Sequence, residues 1–154
     1  MIFVFDRDEI LKAVLRRDSP ESMPYWSAAF TEQLNGDIRF KFHIPADHED
    51  AQYVEKESRI VIRDDDGNER LLVVRETEEK RTQDDRVRKF VYCKDAAIAE
   101  LNDAPVESVN LTGASPYDAL VQILQNSRYE VGIVDSGFPV KDFSLYMKNA
   151  LFGI

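Results

Sequence analysis

Residues 26–44 read WSAAFTEQLNGDIRFKFHI, and the reading of this stretch decides the fold. Asn35-Gly36 offers two residues that tolerate positive φ, which a tight type I′ hairpin turn demands. Beyond it the polarity alternates. Ile38, Phe40, Phe42 and Ile44 point one way, while Asp37, Arg39, Lys41 and His43 point the other. A period of two with one apolar and one polar side predicts a half-buried antiparallel strand with one wet face.

Working outward, the same signals predict strands over 2–6, 10–15, 26–34, 37–44, 59–64, 70–78 and 87–93. The run LLVVRE at 71–76 predicts a strand buried on both faces at first and on one face later. Asp64-Asp65-Asp66-Gly67-Asn68 has the composition of a hairpin loop, and EKRTQDDR at 79–86 reads as a charged, exposed turn. After residue 94 the character changes. Asp95 can cap a short Ala-rich helix, Ala96–Leu101. Val106–Leu111 predicts a further strand. Ser115-Pro116 opens the best helix, with Ser115 as N-cap, Pro116 in the first helical position and Asp118 completing a capping box. Its apolar stripe is Leu120, Ile123 and Leu124, with Tyr117 or Val121. The helix is expected to stop near Asn126, before a strand at Tyr129–Val134. The expected organisation is a β-rich domain at 1–94 and an α/β segment at 95–154. KNALFGI at the end has no polar tail, so an N-terminal piece of a longer protein, cut at 154, is expected.

The bulk composition bounds the function. The 154 residues are 44% hydrophobic and 32% charged, with a formal charge of −9, the balance of a globular domain and not of a disordered chain. No apolar run approaches the length that spans a bilayer, and MIFVFDRDE has the look of a first strand, not of a secretory signal. The acidic balance argues against a surface that holds nucleic acid through its phosphates, though not against a wall past which nucleic acid slides. The lone Cys93 excludes an internal disulfide framework, and its place at the end of Val87–Tyr92 favours a small buried hydrophobe over a nucleophilic thiol.

Candidate chemistry thins out on inspection. With Gly67 at position six of a calcium loop, positions one and twelve fall on Ile62 and Val73, which carry no oxygen ligands. His43, His48, Glu49 and Asp50 match no zinc spacing, and Pro45 breaks any helix that would align the two imidazoles, so both histidines are expected at the surface. Asp84-Asp85 and Glu76 with Glu78 are chance pairs among 29 acids. Gly132 and Gly137 stand too far apart for a dinucleotide loop. Tyr25, Trp26 and Phe30 could form a binding platform, but a contribution to the core is the commoner role. No catalytic, cofactor-binding or metal residue is predicted, and no cofactor.

Three segments carry a resemblance. FTEQLNGDIRFKFHIPADHEDAQYVEKESRIVIRDDDGNERLLVVRETEE at 30–79 contains an E-x-x-N-G hairpin, a strand ending in Pro, an acidic spacer and a second hairpin around VIRDDDG. VRKFVYCKDAAIAELND at 87–103 and SPYDALVQILQNSRYEVGIVD at 115–135 follow in order. Together they resemble the N-terminal region of phage minor structural tail proteins: the tail-associated lysins and prophage tail endopeptidases of the baseplate hub family. One departure is Tyr129-Glu130, where many relatives carry Trp before the Val-Gly.

The resemblance implies an α+β, β-rich fold: an antiparallel sheet or small β-barrel-like tube domain with a few short helices. It implies a homotrimeric ring in the virion that closes the tail tube and docks on the distal tail protein. Tape-measure protein and DNA would pass through the lumen without specific binding. A receptor-binding or peptidoglycan-degrading part would lie beyond this non-enzymatic segment. The expected location is the virion tail tip, after synthesis in the bacterial host cytoplasm. Two other expectations stand beside it: a targeting module of a cell-wall hydrolase, and a monomeric β-sandwich adhesion module.

Overall fold

The computed structural model describes residues 1–19, 21–33, 38–81, 86–103, 108–135, 137 and 141–146. Its backbone contacts divide the chain into two units, Met1–Ala99 and Glu100–Ile154.

The first unit is built on one seven-stranded sheet. Its strands are β1 (Ile2–Phe5), β2 (Leu11–Leu15), β3 (Trp26–Glu32), β4 (Ile38–Pro45), β5 (Arg59–Arg63), β6 (Glu69–Arg81) and β7 (Val87–Asp95). Their order across the sheet is β2-β1-β5-β6-β7-β4-β3, and every pairing is antiparallel. The fold is therefore α+β and β-rich, as the alternation predicts.

The alternation in β4 is realised residue by residue: Phe40, Phe42 and Ile44 are buried, while Arg39 and Lys41 are exposed. One cluster unites Ile2, Val4, Leu15, Phe42, Ile60 and Val91 from strands across the width of the sheet. A sheet with a single apolar face joins such distant strands in one core only by curling that face inward. Register shifts at Val4/Phe5, Trp26/Ala29 and Val74/Glu76 supply local bends, which is how bulges curve a sheet. Side chains add ties: Arg70 of β6 joins Glu32 of the non-neighbouring strand β3 at 3.4 Å and Asp64 after β5 at 2.8 Å.

A short 3₁₀ helix, Glu49–Tyr53, lies between β4 and β5 and was not predicted. His48 caps it by accepting the Asp50 N–H at Nδ1, 3.1 Å away. Ala51 and Val54 belong to the core cluster. Lys89 sits on the inward phase of β7 with Val91 and Cys93. Its ammonium donates to the Ala51 carbonyl at 3.0 Å, with Glu79 at 3.9 Å, so a buried lysine ties the 3₁₀ helix to the sheet.

Several expectations are corrected. Pairing of Glu32 with Ile38 leaves five residues between the strands; a two-residue turn on Asn35-Gly36 within an unbroken ladder would pair Glu32 with Arg39 instead. Residues 34–37, the turn itself, lie outside the described residues. Glu79–Arg81, read as part of a turn, continue β6; Asp84-Asp85 lie outside the described residues. Leu72, Val73 and Val74 are all buried, as the continuous apolar run predicts.

In the second unit, α1 (Ala96–Asp103) bridges from the first, and β8 (Ser108–Ala114) pairs antiparallel with β9 (Lys141–Tyr146). The helix α2 (Pro116–Leu124) has its full capping box: Ser115 Oγ accepts the Asp118 N–H at 3.2 Å, and Asp118 accepts the Ser115 N–H at 3.0 Å. The predicted strand at 129–134 does not form; Tyr129 instead donates its hydroxyl to Glu100 at 2.8 Å, beside the two-pronged Arg128–Glu100 pair. The buried residue of α2 is Ala119, with Ile123 and Leu124 half-buried, whereas Tyr117, Leu120 and Val121 are exposed.

The central place of Phe42 gives a direct stability test. Phe42→Ala is expected to destabilise the chain by about 3–5 kcal/mol through lost burial and a cavity. Lys41→Ala, on the wet face, is expected to stay within about 0.5 kcal/mol. Urea unfolding followed by circular dichroism measures both.

Candidate functional site

The sequence-predicted aromatic set is divided by the sheet. Tyr25 and Phe30 pack against the core cluster, with Tyr25 edge-on to Phe42 at 6.5 Å. Trp26 goes to the opposite face. There it pairs across the ladder with His43, which in turn pairs with Phe90 of β7. The indole and imidazole stack at 6.1 Å and 16°, and His43 meets Phe90 at 5.3 Å. Cross-strand neighbours on one face are close enough for such contacts. His43 is therefore not a plain surface residue, as expected from its strand phase, but the middle of an aromatic row; its Nδ1 is buried with no hydrogen-bond partner among the described residues.

The row opens at its Trp26 end into a cleft of about 450 Å³. Pro24, Trp26, Pro45 and Val87 give it apolar walls. Asp47, Arg86 and Arg88, all exposed, complete the lining. The Arg88 guanidinium stands 5.9 Å from the indole centroid, within cation–π range. Beside the cleft β3 is broken by the register shift between Trp26 and Ala29, and Ser27 carries a φ of +50°, a conformation that costs a non-glycine residue of order 1–3 kcal/mol.

The other candidates take structural roles. Asp64 N–H donates to the Asn68 carbonyl at 2.9 Å, and Gly67 takes a φ of +85°, so 64–68 is the hairpin turn predicted. Burial works against charge on Asp64, but hydrogen bonds from Arg70 and Asn68 outweigh it and hold the carboxyl below its usual range. The carboxylate is thus committed to protein donors and not turned toward a cation. No group of three or more metal-ligating side chains comes together among the described residues. Cys93 is fully buried, and burial pushes its thiol pKa up. Gly132 lies in irregular backbone.

A second feature that sequence reasoning missed is a bare strand edge. β5 pairs with β6 only over Glu69–Val73, with the Val74 backbone closing onto Glu57 and Ser58. Beyond that, Glu76–Lys80 pair with β7 on one side and with no strand on the other among the described residues. These residues are exposed. The available signal was length: the apolar part of β6 ends at Val74, while β-compatible ETEEKR continues past any partner long enough to cover it.

Comparison with known proteins places these features in a family. The family described as the prophage endopeptidase tail N-terminal domain matches residues 2–95, the span of the seven-stranded sheet. No curated protein matches the chain. No helix of the described residues is long and apolar enough to cross a membrane.

Two outcomes test this geometry. Cys93 is expected to resist a thiol-specific reagent in the native chain and to react only as the chain unfolds, read by the rate of labelling against denaturant. Asp64→Asn is expected to be less stable than the parent at neutral pH. Because the folded-state pKa of Asp64 is lowered, its contribution is present above the unfolded value of 3.8 and is lost as pH falls through the folded value. The gap between parent and variant should therefore close below that pH in an acid titration.

Proposed function

From the chain's membership of the prophage endopeptidase tail N-terminal domain family, which makes it a phage-tail component, we propose that it forms the N-terminal ring of a tail-tip hub, as a homotrimer that closes the tail tube and docks on the distal tail protein. The observation that carries the reading is the bare edge of Glu76–Lys80, together with the edge strands β2 and β3. Unpaired backbone groups on a long strand are templates for another chain, and a closed ring satisfies them without leaving an end open.

Charge fits the same reading. Glu76 and Glu78 stand exposed on one face of the overhanging strand. Carried into a ring lumen, such carboxylates repel DNA and keep it from adhering as it passes with the tape-measure protein. A receptor-binding or peptidoglycan-degrading part belongs to the sequence beyond this segment. An adhesion module built as a two-sheet sandwich would divide its strands between two ladders, whereas the seven strands here share one; a targeting module of a cell-wall hydrolase differs from the ring by remaining a monomer.

Native mass by light scattering on the full reading frame decides between them. The ring reading expects a trimer that binds the distal tail protein; a monomer under all conditions overturns it. In the assembled tail, charge reversal of Glu76 and Glu78 to Lys, both on the face opposite Lys89, is expected to slow DNA ejection. Unchanged ejection removes the lumen role.

A further inference from the structure

The overhang of β6 is bare because the chain before β5 turns away from it. Arg59 pairs with Val73; continued in that register, Glu57 would face Arg75, Lys56 would face Glu76 and Glu55 would face Thr77. These residues instead form a β-turn. The Ser58 N–H donates to the Glu55 carbonyl at 3.1 Å, and Glu57 takes a φ of +73°. At the third position of a turn that conformation suits glycine, and a larger side chain is strained in it.

The strained turn is held from two sides. Ser58 is buried; its hydroxyl donates to the Tyr53 carbonyl at 2.9 Å and accepts the Glu55 N–H at 3.2 Å. Arg75 stands at the register shift of β6. Its guanidinium meets the Glu57 carboxylate at 2.9 Å and donates to the Ala99 carbonyl at 3.0 Å. Arg7 adds a longer bond to the Lys56 carbonyl, at 3.4 Å. The clamp needs a carboxylate, which accounts for a glutamate where the backbone suits glycine. We propose that Glu55–Glu57 is a strap, held off the sheet by Arg75 and Ser58, that keeps the near end of the overhang open. Once released, it extends β5 and covers Glu76 and Thr77.

The strap fits the edge it leaves. In the extended form Lys56 lies opposite Glu76, an opposite-charge cross-strand pair. Glu55 and Lys56 are exposed in the turn, so neither gives up a core position on moving. Val54, fully buried, anchors the far end and limits the strap to the first residues of the overhang. The inference rests on the ring reading in one respect: the edge left open is the edge that a neighbouring subunit is proposed to take. Strap and neighbour then compete for the same backbone groups.

Amide exchange resolved by residue in the isolated 154-residue chain tests the strap. Glu57→Val removes the clamped carboxylate and places a β-branched residue where positive φ is disfavoured and a strand is favoured. Of the Glu76 and Thr77 amides, the one that points away from β7 is expected to slow by roughly tenfold, the scale of one net hydrogen bond. Arg75→Gln, which loosens the clamp from its other end, is expected to slow the same amide. Glu57→Gly accepts the turn without a clamp and should leave it as fast as in the parent. Slow exchange at Leu72–Val74 shows that the sheet is intact in each variant; where Glu57→Val loses it, Arg75→Gln decides. Unchanged exchange at Glu76 and Thr77 in the intact variants, or equal slowing in Glu57→Gly, overturns the strap. The experiment uses single chains, so its failure leaves the ring reading standing, and a monomer by light scattering removes the ring but not the strap.

Discussion

Everything in the first unit depends on one constraint: a seven-stranded sheet with one largely apolar face must hide that face from water, and among the described residues of this unit there is no second sheet to hide it against. Phe42 marks the solution. Its ring meets Phe40 on the same strand at 5.2 Å and Tyr25, from the approach to β3, at 6.5 Å, in a cluster that also holds Ile2, Leu15 and Val91. Rolling the sheet makes its own two halves the two walls of the core. The non-directional gain from burying apolar area drives the roll, while the bulges permit it. The 3₁₀ helix then contributes Ala51 and Val54 to the core, held by Lys89.

The same constraint explains where the surfaces of interest arise. A rolled sheet that is not closed by hydrogen bonds keeps its edges, and β6 adds a further one by outrunning β5. The charges of ETEEKR on that overhang are the usual means by which a long edge is kept from indiscriminate pairing. The polar face, meanwhile, is free to carry specialised chemistry. Trp26, His43 and Phe90 form their row there because residues in neighbouring strands that share a phase must meet, whether or not they serve the core.

How much of this was legible in the residues follows from the range of the interactions. The alternation of Ile38–Ile44 and the capping box at Ser115–Asp118 are local, and the elements formed as read. The hairpin loop at 64–68 is likewise written in Asp and Gly. What was not legible required knowing a partner. The register of β3 with β4 departs from a simple Asn-Gly hairpin already at Glu32 and Ile38, and shifts again between Trp26 and Ala29; neither offset is written in the local pattern. The stretch 129–134 looks like a strand, but Tyr129 is taken by Glu100 across a long sequence separation. Lys89 occupies an inward phase that a polarity pattern cannot explain without the Ala51 carbonyl waiting for it. The site was hidden for the same reason: Tyr25, Trp26 and Phe30 are close in sequence, yet the sheet sends Trp26 to the other face from Tyr25 and Phe30.

The central claim is that this unit is a self-cored rolled sheet whose bare edges are completed by other subunits. Hydrogen–deuterium exchange across β6 tests it most directly, comparing the isolated chain with the full-length protein assembled in the tail. The account predicts slow exchange at Leu72–Val74 in both, and amides within Glu76–Lys80 that exchange fast in the isolated chain and become protected on assembly. Equal exchange of that segment in the two states would contradict it.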